Sequence, residues 1–121
     1  MALGTPGGDN QEQTILQAFL NIVEFWPEWY PNLHEAFEWP RAQTLHFYSS
    51  FWPHTPGFNK LNLEAGVGDA VIKDLQSRGH DVTKIRPYSI ASCATGVLID
   101  PATLNRLAGA DPRRDCYAMA Y

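Results

Sequence analysis

Apolar positions recur along this chain in two distinct rhythms, and each predicts a kind of element. From Ile15 onward Leu16, Phe19, Leu20, Ile22 and Val23 return at three- and four-residue steps, the signature of an amphipathic helix. Asp9 with Glu12 three residues later forms a capping-box pattern ahead of it. Pro27 and Pro31 predict that this helix stops and that Trp26–Pro31 is a loop. Asn32 then caps a short helix through Leu33, Ala36 and Phe37 that ends before Pro40.

Further on the rhythm shortens. Thr44–Tyr48 reads as a short strand of β-branched and aromatic residues, and Lys60–Glu64 alternates as a half-buried one. Ser49–Gly57, with Pro53 and Pro56, is predicted to be irregular. Val71, Ile72 and Leu75 share one face of a second helix over Gly68–Arg78, stopped by Gly79. Strands are expected at Asp81–Ile85, Ile90–Ile99 and Leu104–Ala108, with a turn at Asp100-Pro101. Asp111–Asp115 forms a polar, turn-rich tail. That order predicts an α+β fold, with helices packed on an antiparallel sheet.

Composition narrows the reading. Hydrophobic residues make up 45% of the 121 positions and charged residues 18%, a globular balance. Four Trp, five Tyr and six Phe crowd mostly between Phe19 and Phe58. So dense an aromatic block points to an interface, or to packing against polypeptide outside this chain. The net charge is −4 and the basic residues are scattered apart from Arg113-Arg114, so no stripe exists to track a phosphate backbone and nucleic acid is not an expected partner. The run Ile15–Phe25 is broken by Gln17, Asn21 and Glu24 and is too polar to span a bilayer. The opening residues show no signal-peptide pattern, which leaves the compartment open.

Candidate chemistry is sparse. Cys93 and Cys116 share no metal-binding spacing with each other or with His34, His46, His54 and His80, and read as structural thiols. Ser49, Ser50, Ser89 and Ser92 lack a nucleophile context and read as loop or cap hydroxyls, and His80 as a surface residue. Asp111, Arg113, Arg114 and Asp115 form either an ion-pair cluster that pins the tail or a solvated surface group. The Gly7-Gly8 loop ahead of the first helix is the one feature with an evident chemical use. Glycine amides beside a helix N-terminus point at an anion and can stabilise the oxyanion of acyl transfer. On composition alone a plain turn is the simpler reading.

In order along the chain, several words resemble the end of the small subunit of γ-glutamyltranspeptidases. They are Gly4-Thr5-Pro6-Gly7-Gly8-Asp9, Leu16-Gln17 with Asn21, Glu35-Ala36 with Pro40-Arg41, Leu75–Gly79 with His80, and Gly109-Ala110-Asp111-Pro112-Arg113. The resemblance covers nearly all of residues 1–121 as one C-terminal portion of that subunit. It implies part of an N-terminal-nucleophile hydrolase with an αββα sandwich, cleaving or transferring γ-glutamyl amides such as glutathione and its conjugates. It calls for no metal and no cofactor. Gly7 and Gly8 match the family's oxyanion-hole pair, which displaces the plain-turn reading. Arg41, Asp111 and Arg113 match positions of structural support, although Trp39 stands where the family motif has alanine.

The same resemblance places the nucleophilic threonine before the Gly-Gly loop, and neither Thr5 nor Thr14 has its context. The partners it implies are a large subunit and the preceding part of the small one, and the chain alone is expected to be inactive. Two alternatives stand beside this reading: an acylase of the cephalosporin type on the same scaffold, and a truncated, non-catalytic interaction module.

Overall fold

The computed structural model describes residues 1–29 and 32–119, with the backbone alone from 26 to 29. The chain forms two units, Met1–Trp39 with Ala91–Tyr121, and Pro40–Ile90.

In the first unit, β1 (Ala2–Gly4), β5 (Thr95–Ile99) and β6 (Arg106–Ala110) make an antiparallel sheet in the order β1-β5-β6. The register sets Leu3 beside Gly96 and Gly109, and Leu98 beside Leu107. Strand side chains alternate, so these residues share the face packed by α1 (Gln11–Trp29) and α2 (Leu33–Glu38). Ala18, Ile22, Leu33, Ala36, Phe37 and Ala94 form the buried core there. Phe37 is fully buried because the sheet beneath it is bare: a Cβ on Gly109 would lie 2.9 Å from its ring. Asn32 caps α2 as predicted, its side chain accepting from the His34 amide at 3.2 Å. Asn21 Nδ2 donates to the Ala36 carbonyl at 3.0 Å and ties α1 to α2.

The opposite face carries Ala2, Val97 and Ala108 in one row and Ile99 beside Arg106 in the next. Val97 and Ile99 are exposed, and a groove of about 470 Å³ runs past them to Met1 and Met119. Leu16, Phe19, Leu20 and Val23 of α1 are exposed too. The helix therefore has more apolar surface than this unit covers.

In the second unit, β2 (Ala42–Thr44) pairs antiparallel with β3 (Lys60–Glu64), and β3 pairs in parallel with β4 (Asp81–Ile85). The α+β class holds, but this sheet is mixed. A helix, α3 (Asp69–Ser77), connects β3 to β4, and a helical crossover returns the chain in the same direction. Gly79 ends α3 with φ +94, as its position predicts. Glu64 fastens the unit: one carboxylate oxygen accepts from the Arg41 amide at 3.1 Å and the other from the Ile90 amide at 3.0 Å.

Several predicted boundaries move. The first helix does not end before Pro27. It breaks at Phe25 (φ −116°, ψ 19°) and resumes to Trp29, and Pro27 is tolerated because the first turn of a helix needs no amide donors. Tyr30 and Pro31 lie outside the described residues. The strand predicted at Thr44–Tyr48 is Ala42–Thr44, since its partner β3 begins at Lys60. The strand predicted from Ile90 begins at Thr95, the first position with ladder partners on both sides. Side-chain carboxylates serve the preceding amides instead, Glu64 at Ile90 and Asp111 at Ala94. The last strand runs Arg106–Ala110, because residues 100–105 close a turn on Asp100, which accepts from the Ala102 amide and the Thr103 hydroxyl. Among the described residues the aromatic block is mostly unburied: Tyr48, Phe51, Trp52 and Phe58 are all exposed. No helix among the described residues is long and apolar enough to cross a membrane.

Candidate functional site

The glycine loop sits between β1 and α1. Gly7 adopts φ +140° and ψ 17°, and Gly8 φ +57°. Two consecutive positive φ values turn the chain sharply into a 3-10 turn at Gly8–Asn10, from which α1 continues. The sequence places a capping box at Asp9. Asp9 lies inside the turn, and the cap position falls on Gly7, which has no side chain to offer. The Asn10 amide donates to the Gly7 carbonyl at 3.1 Å, and the Gln11 amide to the Gly8 carbonyl. The Gly7 and Gly8 amides donate to no backbone carbonyl among the described residues. They belong to the group of N–H donors that every helix start leaves unpaired.

Ser92 underlies this loop. Its side chain is buried, and its Oγ lies 2.8 Å from Thr5 Oγ1 and 2.8 Å from the Pro6 carbonyl oxygen. A Cβ at Gly7 would come within 2.8 Å of Ser92 Cβ and Oγ and 3.2 Å of the Ala91 carbonyl. Glycine is thus required at position 7 twice over, by backbone conformation and by contact. In the sequence Ser92 reads only as a loop or cap hydroxyl. Nothing local marks a residue more than eighty positions away as the floor of this turn.

The tail cluster resolves into two parts. Asp111 and Arg113 are buried, with Oδ1 and Nη1 3.0 Å apart. Asp111 also accepts from the Ala94 and Arg113 amides, each at 3.0 Å. Arg113 donates to the Phe37 and Trp39 carbonyls, both at 2.8 Å, at the end of α2 where carbonyls lack helical partners. Arg114 and Asp115 are exposed. Arg41 belongs to the other unit and is buried there. The structure therefore groups Asp111 with Arg113, and Gly7 with Gly8 and Ser92.

Cys93, next to Ser92, is buried, and both cysteines are free thiols. Burial, and then the hydrogen bond with Cys116, pushes the Cys93 thiol up from 9.0 to about 11. The unfolded chain releases this proton near 9.0 while the folded one still holds it. Its contribution to stability is complete below that pH and is lost as the pH rises toward 11. Thermal melts between these limits are expected to fall more steeply for the native chain than for a Cys93→Ala variant. Parallel slopes would remove the assignment.

A model of the gamma-glutamyltranspeptidase family matches residues 1–121. Among solved structures, LmbA2991HD is 34% identical with a TM-score of 0.85, covering 99% of this chain and 21% of that one. Cephalosporin acylase from Bacillus halodurans is 24% identical with a TM-score of 0.74, covering 98% of this chain and 19% of that one. The gamma-glutamyltranspeptidase of Pseudomonas nitroreducens complexed with L-DON is 18% identical with a TM-score of 0.68, covering 98% of this chain and 54% of that one. At the identities of the last two, the likeness is one of fold. No curated protein matches the chain in sequence. The chain thus spans about one fifth of the length of the first two structures.

Proposed function

Because the chain belongs to the γ-glutamyltranspeptidase family, we propose that it supplies the oxyanion loop of an enzyme that cleaves or transfers γ-glutamyl amides, glutathione and its conjugates among them. The observation that carries this reading is the Gly7-Gly8 turn, with two amide donors at a helix start that no backbone carbonyl among the described residues occupies. In such chemistry a threonine hydroxyl attacks the amide carbonyl, whose oxygen becomes an alkoxide. Preorganised N–H groups stabilise that charge as it forms. Collapse expels the amine and leaves an ester on the threonine, which water or an acceptor amine then opens. The threonine comes from polypeptide outside these 121 residues, as do the groups that grip the substrate.

That polypeptide is the partner in this reading. It covers the outer face of β1-β5-β6 and the exposed side of α1, where Val97, Ile99, Leu16 and Phe19 are open. Asp111, Arg113 and Arg41 are assigned to structural support, which their burial favours.

The test compares the 121-residue chain alone with the chain assembled with a threonine-led polypeptide that supplies the rest of the family fold. Release of nitroaniline from γ-glutamyl-p-nitroanilide by the assembly, and none by the chain alone, is the expected result. Turnover by the chain alone would sink the reading. An assembly that prefers acylase-type amides over γ-glutamyl ones replaces the substrate class, and an inactive assembly favours a non-catalytic module.

A further inference from the structure

The hydroxyls of Thr5 and Ser92 converge on one carbonyl at the glycine loop. Thr5 Oγ1, Ser92 Oγ and the Pro6 carbonyl oxygen lie 2.8 Å from one another, each from both others. The carbonyl brings no proton and each hydroxyl brings one. The contact between the two hydroxyls uses a single proton. Both hydroxyls stand at donating distance from the Pro6 carbonyl, so either one can supply it with a proton.

That carbonyl governs the amide behind it. The single cis peptide among the described residues is Trp52-Pro53, so Pro6-Gly7 is trans. In a trans peptide the C=O and N–H point in opposite directions. Holding the Pro6 oxygen toward Ser92 aims the Gly7 N–H away from Ser92, to the side where no backbone carbonyl among the described residues receives it. The same serine sets the spacing, since it leaves no room for a Cβ at Gly7.

We propose that Ser92 and Thr5 are paired positioning residues, a redundant hydroxyl clamp on the Pro6 carbonyl that points the Gly7 amide at the forming oxyanion. The proposal rests on reading Gly7 and Gly8 as oxyanion donors. Its signature is redundancy: either hydroxyl alone keeps the carbonyl in place, and only loss of both frees it.

The experiment measures γ-glutamyl anilide turnover by the active assembly, per acyl-enzyme site titrated in the burst, so that poorly assembling variants are still read. Ser92→Ala and Thr5→Val alone are each expected to lower kcat by roughly twofold. The double variant is expected to lower it by roughly 30-fold with KM within about twofold, because a donor that acts in the transition state is misaimed. Restoring one hydroxyl, as Ser92→Ala with Thr5→Ser, is expected to return the rate to that of Ser92→Ala. A double variant no worse than the product of the singles, or a loss carried by KM, overturns the clamp. Gly7→Ala separates the two levels. If it lowers kcat while the double variant shows no excess, the clamp alone fails. If Gly7→Ala and the double variant both leave kcat unchanged, the oxyanion reading fails with it.

Discussion

Replacing Asp111 by alanine is expected to lower the free energy of unfolding by about 3–5 kcal/mol, the range for breaking a buried ion pair from one side. Asp111 is 1% exposed, and its donors include the Ala94 amide, the Arg113 amide and the Arg113 guanidinium. Alanine removes every acceptor at once. The Arg113 side chain, held between the Phe37 and Trp39 carbonyls, loses the carboxylate that lies 3.0 Å from its Nη1. Urea titration followed by tryptophan fluorescence measures the loss as a lower midpoint. Asp111→Leu with Arg113→Met should recover much of it, since the larger cost lies in the buried charge rather than in the missing attraction. A loss below about 1 kcal/mol would mean that the pair behaves as an exposed one.

In the active assembly, Gly7→Ala is expected to lower kcat by about 10²–10³-fold, the usual cost of an oxyanion donor. Two effects act together. At φ +140° and ψ 17° an alanine is strained. Its methyl would sit 2.8 Å from Ser92 Cβ, so the loop must also shift away from its floor. Gly8→Ala is expected to be milder, because φ +57° lies in the small left-handed region open to other residues. Steady-state kinetics on the two variants checks the ranking, and equal losses would place the demand for glycine elsewhere than in this contact.

Much of this arrangement was legible in the residues, and what escaped did so for definite physical reasons. The period-3.6 runs marked α1 and α3, and Asn32 and Gly79 marked helix ends by their own chemistry. The glycine pair was visible because glycine is the residue a sharp turn demands. Strand ends were not, because a strand stops where its partner does: Thr44 faces Leu61, and β3 offers nothing beyond Lys60. β1 was missed for the same reason, since Ala2–Gly4 is extended only by its pairing with β5. Ser92 in Ala91-Ser92-Cys93-Ala94 looked like one small residue among others, and its role appears only once Thr5 and Pro6 lie against it. In the tail, charge alone did not separate Asp111 and Arg113 from Arg114 and Asp115, because burial and not sequence divides them.

The pairing of Ala2 with Val97 has a consequence for the order in which the molecule is made. A strand near the start of the chain waits for a partner more than ninety residues later, and such distant contacts are late and slow to form. During synthesis α1 can coil early, but the turn at Gly7 acquires its floor only after Ser92 has left the ribosome. The glycines proposed for catalysis would then take shape only after residues more than eighty positions downstream have been translated. A nascent chain halted before β5 would carry the glycines without the geometry that makes them useful.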